Sequence, residues 1–307
     1  MIHHYLVADH YFAIEAPEGL FESLTNYAPF QITNDPYGAS RSEESPMTNL
    51  FAIHVCEEAM PGTDGWEHVY TDTSDDDMPR IEMYKREGGW LFRVSVLRDG
   101  DIVSAMVCSE DWREVQLYMQ PDYARFAIDN AAMLVYAFAT AGLKTLLFHS
   151  SVTVRNGYGY MFLGHSGTGK STHSRQWLTA FPEAELLNDD NPAVRIMEDR
   201  TVRVYGTPWS GKTPCYRNAY APVAALVQLA QAPENKIQRL KMTQAYPYIL
   251  ASVSGLKVLP EMMDRLYETI AGLLELTPVY RLECLPDTTA AQLCAQTCSP
   301  STDRTDN

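Results

Sequence analysis

The sequence predicts an α/β protein leaning towards α+β. A β-rich N-terminal region (residues 1–121) precedes a phosphate-loop domain (residues 122–298) on a mixed or antiparallel sheet, with residues 299–307 as a disordered polar tail. Three observations carry this reading. Short apolar runs alternate with polar residues between Leu50 and Leu97. An Asn-Gly turn joins two apolar segments, the second running directly into Gly164. Gly164-His-Ser-Gly-Thr-Gly169-Lys170-Ser171 then satisfies G-x-x-x-x-G-K-[ST] and is followed by a helix-forming stretch.

The N-terminal strands are expected at Leu50–Val55, Arg80–Tyr84 and Trp90–Leu97, with Gly88-Gly89 and Asp99-Gly100 as turns. Asn34–Thr48 and Pro61–Pro79, rich in Pro, Gly and Ser, read as exposed loops, and Asp75-Asp76-Asp77 as a solvated part of the second. Helical texture runs from Asp122 to Ala141, with Gly142 at the expected stop. Thr145–Val154 and Tyr158–Leu163 are strands around the Asn156-Gly157 turn, and Ser171–Leu178 forms the helix after the loop. Further on, Ala221–Leu229 and Val279–Leu282 read as strands. Met242–Leu250, Pro260–Leu276 and Asp287–Gln296 read as helices, the last capped by Asp287.

Charge and composition narrow the partners. The 307 residues hold 24 Lys and Arg against 39 Asp and Glu, a formal charge of −15. This excludes a broad surface for a nucleic-acid backbone or an anionic membrane. No stretch approaches the ~20 apolar residues of a membrane helix. Met1–Ala16 carries His3, His4, Asp9 and His10 where a secretory signal needs a basic segment and an apolar run. A cytoplasmic protein is expected, and homo-oligomerisation is compatible with the sequence. Cys56, Cys108, Cys215, Cys284, Cys294 and Cys298 contain no Cys-x-x-Cys pair and read as reduced, structural thiols.

The phosphate loop requires a chain that wraps an anion closely enough for successive backbone N–H groups to point inward, so glycines sit where a Cβ would obstruct. Gly164, Ser166, Gly167, Thr168, Gly169 and Thr172 are the candidate cradle, Lys170 a mobile charge for the terminal phosphates, and Ser171 a hydroxyl for Mg²⁺. The pattern matches again at Gly206-Thr-Pro-Trp-Ser-Gly211-Lys212-Thr213, but Pro208 lacks an N–H, Trp209 is bulky and no helix follows. This second loop reads either as a plain exposed turn or as a loop that presents Lys212, and with it Arg217, to an anionic substrate, with Thr207, Trp209 and Ser210 as the residues shaping that site.

A nucleotide site needs an acid at the end of a neighbouring strand. Leu186-Leu-Asn-Asp189-Asp190 supplies two. One can hold the metal while its neighbour accepts a hydroxyl proton, and which does which stays open. His149, on the strand before the hairpin, is either a residue that touches phosphate or shuttles a proton, or a satisfied core histidine. His165 and His173 read as packing or surface residues beside the loop.

In this order and spacing, His149, the hairpin into Gly164–Ser171 and Leu186–Asp190 resemble the catalytic domain of HPr kinase/phosphorylase and its HPr-kinase-like relatives. That family is kin in fold to the ATP-dependent phosphoenolpyruvate carboxykinases. The resemblance is good over Leu146–Val204 and faint as far as Leu293. It implies a mixed or antiparallel sheet of the HPr kinase/carboxykinase type. It also implies that Gly164, Gly169, Lys170, Ser171 and Thr172 hold ATP and Mg²⁺, that Asp189 and Asp190 serve as metal contact and base, and that His149 lies near the transferred phosphate. Thr172 departs from the family's usual Glu, and Gly206–Lys212 replaces its glycine-rich HPr-binding signature, so the HPr protein itself is not implied as acceptor. The expected activity is ATP- and Mg²⁺-dependent phosphoryl transfer to a hydroxyl of a small molecule or peptide. The alternatives are a carboxykinase-like reaction on an oxo acid and a nucleotide-responsive binding protein without turnover.

Overall fold

The computed structural model describes residues 1–32, 49–72, 79–211, 213–255, 257 and 259–300. Two compact units emerge, Met1–Ala139 and Thr140–Asn307, and the chain is a mixed α/β protein with one mixed sheet in each. Among the described residues no helix is long and apolar enough to cross a membrane.

The first unit is an eight-stranded sheet. Its strands are β1 (Ile2–Val7), β2 (His10–Glu15), β3 (Ala52–Val55), β4 (Glu67–Thr71), β5 (Ile81–Arg86), β6 (Gly89–Ser95), β7 (Ile102–Ser109) and β8 (Glu114–Met119), in the order β1-β2-β3-β8-β7-β6-β5-β4. The β1–β2 hairpin closes on Ala8 and Asp9, both at positive φ, which matches the twist of the strands it joins. A short helix α1 (Glu18–Phe21) follows β2, and the helix α2 (Ala124–Thr140) has the predicted extent. Phe138 of α2 meets Phe92 at 5.8 Å and Trp112 at 5.1 Å between ring centroids, fixing the unit's aromatic core. The loop expected over Pro61–Pro79 instead contains β4. Glu67-His-Val-Tyr-Thr71 is extended and pairs with β5, and ladder hydrogen bonds override the surrounding turn residues there. The expected loop at Asn34–Thr48 and the Asp75–Asp77 triplet lie outside the described residues.

The second unit holds β9 (Thr145–Leu147), β10 (Ser150–Arg155), β11 (Tyr158–Leu163), α3 (Lys170–Ala180), β12 (Glu185–Asp190), β13 (Ala193–Ile196), β14 (Val202–Tyr205), β15 (Tyr220–Gln231), β16 (Lys236–Arg239), α4 (Met242–Ser252), α5 (Pro260–Leu276), β17 (Val279–Cys284) and α6 (Thr288–Cys298). The predicted single strand over Thr145–Val154 is broken at Phe148-His149, where the chain leaves one partner, β13, and joins others, β11 and β12. Asn156 and Gly157 both adopt positive φ, as a tight antiparallel turn requires. β11 is antiparallel to β10 and parallel to β15, which is in turn parallel to β17, so the sheet is mixed as expected. Helices α3 and α6 cover it over a core that includes Tyr160, Phe162, Trp177, Leu282, Cys294 and Cys298. The last two thiols are free, buried and 4.0 Å apart. Asp287 caps α6 by accepting from the Ala290 N–H at 2.9 Å, as predicted.

Candidate active site

Strand register assembles the site. Leu163, the last residue of β11, is paired with Ser150 of β10, which is paired with Asp190 of β12. The residue after Leu163 opens the phosphate loop, the residue before Ser150 is His149, and Asp190 carries the second acid. The start of β10 and the ends of β11 and β12 therefore lie in one row.

The loop has the conformation its glycines permit. Gly167 (φ 77°) and Gly169 (φ 105°) occupy backbone regions that a Cβ disfavours, and a Cβ on Gly164 would meet the Thr168 side chain at 2.9 Å. Helix α3 begins at Lys170 directly after Gly169, so its free N–H groups and positive dipole end face the loop. The Lys170 ammonium folds back to donate to the Gly164 carbonyl at 2.9 Å and the His165 carbonyl at 3.3 Å. Burial lowers its pKa, while the charges of Asp190 and Asp189 oppose that shift.

The two adjacent acids face different partners. Ser171 Oγ donates to Asp189 Oδ1 at 2.9 Å, joining the loop helix to β12. Asp190 Oδ1 lies 3.2 Å from His149 Nδ1, and Asn191 Nδ2 donates to Asp190 Oδ2 at 2.9 Å. Burial raises the Asp190 carboxyl pKa despite the His149 and Lys170 charges, leaving it a stronger proton acceptor than an ordinary aspartate. Burial lowers that of His149, which favours the neutral imidazole.

Behind the acids, the second glycine loop serves as support. Asn188 Nδ2 donates to the Thr207 carbonyl and the Trp209 carbonyl, each at 3.3 Å, and to Thr207 Oγ1 at 3.2 Å. Asn188 Oδ1 accepts from the Asn191 N–H at 3.0 Å, and Thr207 Oγ1 donates to the Asn191 carbonyl at 2.7 Å. Thr207 and Trp209, expected to shape a substrate site, are 0% and 4% exposed and hold the acid-bearing turn from inside. Gly206 is required by packing, since a Cβ there would run into the Arg217 carbonyl. Arg217 binds Glu185 Oε2 at 2.6 Å and the Leu186 carbonyl at 3.0 Å. These contacts sit at the far end of β12, four and five residues or about 13–16 Å from Asp190 along an extended strand. Arg217 is therefore not brought to the acids, and Lys212 lies outside the described residues.

A cavity of about 570 Å³ opens on the other side of the loop, bordered by Gly167–Gly169, Thr172 and His173 and by the C-terminal ends of β15 and β17. His173, read from sequence as packing or surface, is buried and accepts a hydrogen bond from Trp177 Nε1 at 3.1 Å, and burial lowers its pKa to about 4. Sequence reasoning also passed over Asn188, Asn191 and the buried Ser151–Ser174 hydroxyl pair at 2.6 Å. The Asn-Asp-Asp-Asn run carried the signal for the first two, since polar residues following two leucines of a buried strand need partners.

The sequence matches no family model and no curated protein. Among solved structures it is similar to the HPr(Ser) kinase/phosphatase from Coxiella burnetii, at 11% identity and a TM-score of 0.30, over 49% of this chain and 91% of that one. An overlay that loose constrains neither the site nor the reaction.

Proposed function

We propose that this chain transfers the γ-phosphoryl group of ATP, with Mg²⁺, to a hydroxyl of a small molecule or peptide. The observation that carries the reading is the split between neighbouring carboxylates, Asp189 on the loop hydroxyl Ser171 and Asp190 beside His149. A phosphate loop alone indicates a nucleotide. A second, differently placed acid with a raised pKa indicates that a proton is removed beside it.

In this reading the backbone of Gly164–Gly169 and the N-terminus of α3 hold the phosphates, and Lys170 exchanges its loop carbonyls for phosphate oxygens. Ser171 and Asp189 form an all-oxygen donor pair of the kind Mg²⁺ takes up together with phosphates. Among the described residues no group of three or more His, Cys, Asp or Glu could hold a metal ion by itself, so phosphate oxygens would have to complete the coordination. Bound Mg²⁺ would neutralise phosphate charge. The acceptor oxygen forms a bond to the γ-phosphorus as the bond to the β–γ bridging oxygen breaks; ADP leaves, and the hydroxyl proton passes to Asp190. The balance of −15 supports an enzyme without nucleic-acid or anionic-membrane partners.

The test is ADP release from Mg²⁺-ATP across a panel of alcohols, sugars and Ser/Thr peptides. Acceptor-dependent release that disappears in Asp190→Asn supports the proposal, and ATP that stays intact with every acceptor counts against it.

A further inference from the structure

We propose that the cavity beside the phosphate loop takes the nucleoside of the phosphoryl donor, and that His173 donates a hydrogen bond to it from Nδ1. The inference rests on the phosphate-loop reading above and specifies the donor: a nucleoside triphosphate, not inorganic polyphosphate.

Strand pairing sets the place. Gln231 and Cys284 are register partners at the ends of the parallel strands β15 and β17, and both border the cavity. Crevices at the carboxyl ends of parallel strands are where α/β sheets bind ligands. The volume of about 570 Å³ falls within the range of small-molecule pockets, about 300–1,000 Å³. The walls away from the loop are mostly apolar, formed by Leu229, Ala232, Leu285 and Pro286. A bare polyphosphate would gain nothing from them, whereas a flat heteroaromatic base would. Gln231 Nε2 donates to the Gly167 carbonyl at 3.3 Å and ties the cavity rim to the loop.

The polar contact is set by tautomer. Trp177 Nε1 can only donate, so His173 Nε2, 3.1 Å away, must accept, and in the neutral ring the proton is on Nδ1. His173 is 3% exposed, borders the cavity, and its Nδ1 has no hydrogen-bond partner among the described residues. An N–H without a protein partner, on a residue that borders a ligand-sized space, can meet an acceptor there, and a base nitrogen or a ribose oxygen supplies one.

Calorimetry with the full chain, comparing Mg²⁺-ATP with Mg²⁺-tripolyphosphate, tests this. The wild type should bind ATP at least about tenfold more tightly. Ala232→Trp, which fills the cavity, should reduce ATP binding to the tripolyphosphate level and leave tripolyphosphate unchanged. His173→Phe should lose about tenfold in ATP affinity alone; a variant that misfolds loses both ligands, and in that case Ala232→Trp decides. ATP, but not tripolyphosphate, should shield Cys284 from alkylation. Equal affinities in the wild type, or an unchanged ratio in Ala232→Trp, overturns the inference and leaves the phosphate-loop reading intact. An unchanged ratio in folded His173→Phe overturns the role of that residue. If neither ligand binds, both readings fall together.

Discussion

The hydroxyl of Ser171 donates to the carboxylate of Asp189 at 2.9 Å, across 18 residues of chain. The loop that would cradle phosphate and the strand end that would hold metal are thus already linked, and the pairing of β10 with β12 fixes the distance between them. Ser171→Ala and Asp189→Asn are each expected to raise the Mg²⁺ concentration for half-maximal turnover by about tenfold or more. A Mg²⁺ titration of the rate checks this, and an unchanged midpoint in both variants removes these residues from the metal site.

Asp190 has a different expected phenotype. As the proposed proton acceptor beside His149 it would contribute to the chemical step, so Asp190→Asn should still bind ATP while turnover falls by about 10²–10⁴-fold. Parallel binding and rate measurements separate the two effects. Loss of binding equal to loss of rate would instead make Asp190 a nucleotide ligand.

The buried network behind the acids predicts a stability effect away from any ligand. Thr207→Val preserves shape but removes the hydroxyl that accepts from Asn188 and donates to the Asn191 carbonyl. Leaving such buried groups unsatisfied costs about 1–3 kcal/mol. A lower urea midpoint with an unchanged slope is the expected outcome, and an unchanged midpoint would show that the network reorganises freely.

The N-terminal unit carries its own pH dependence. His54 lies between two carboxylates, with Nδ1 2.6 Å from Glu15 and Nε2 2.9 Å from Glu114, so both ring nitrogens donate only in the imidazolium form. Burial pulls its pKa down, but the hydrogen bonds and charges of Glu15 and Glu114 outweigh that and raise it overall. A raised folded-state pKa means the stabilisation is fully present below the ordinary histidine pKa and is lost as pH rises through the folded value. NMR titration should place the His54 midpoint above that of an unperturbed histidine, and His54→Gln should flatten the stability profile in that window. A midpoint at or below the ordinary value contradicts the geometry.

Much of the site was legible because its determinants are local. Glycine spacing, Lys170, Ser171 and the Asn156-Gly157 turn act through backbone conformation within a few residues, so the sequence alone places them. The Asp189-Asp190 pair was legible as two adjacent acids at a strand end, but not which partner each faces, which depends on register with β10 and on the break at Phe148-His149. Thr207 and Trp209 were expected to shape a substrate site, and their burial behind the acids was not legible, because sequence spacing does not reveal which side of a loop is buried. His173 was undervalued for a similar reason, since its tautomer is set by Trp177, a turn further along the same helix. The strand β4 was masked by flanking Pro, Gly and Asp, whose turn preference is local while its pairing with β5 is not.

The central claim, that Gly164–Ser171 is a working triphosphate site, is tested most directly by calorimetric titration of Mg²⁺-ATP into the wild type and Lys170→Ala. Saturable one-to-one binding is expected in the wild type and a loss of at least about tenfold in the variant, since a charge-assisted contact to phosphate is removed. No binding in the wild type, or equal affinity in the two proteins, contradicts it.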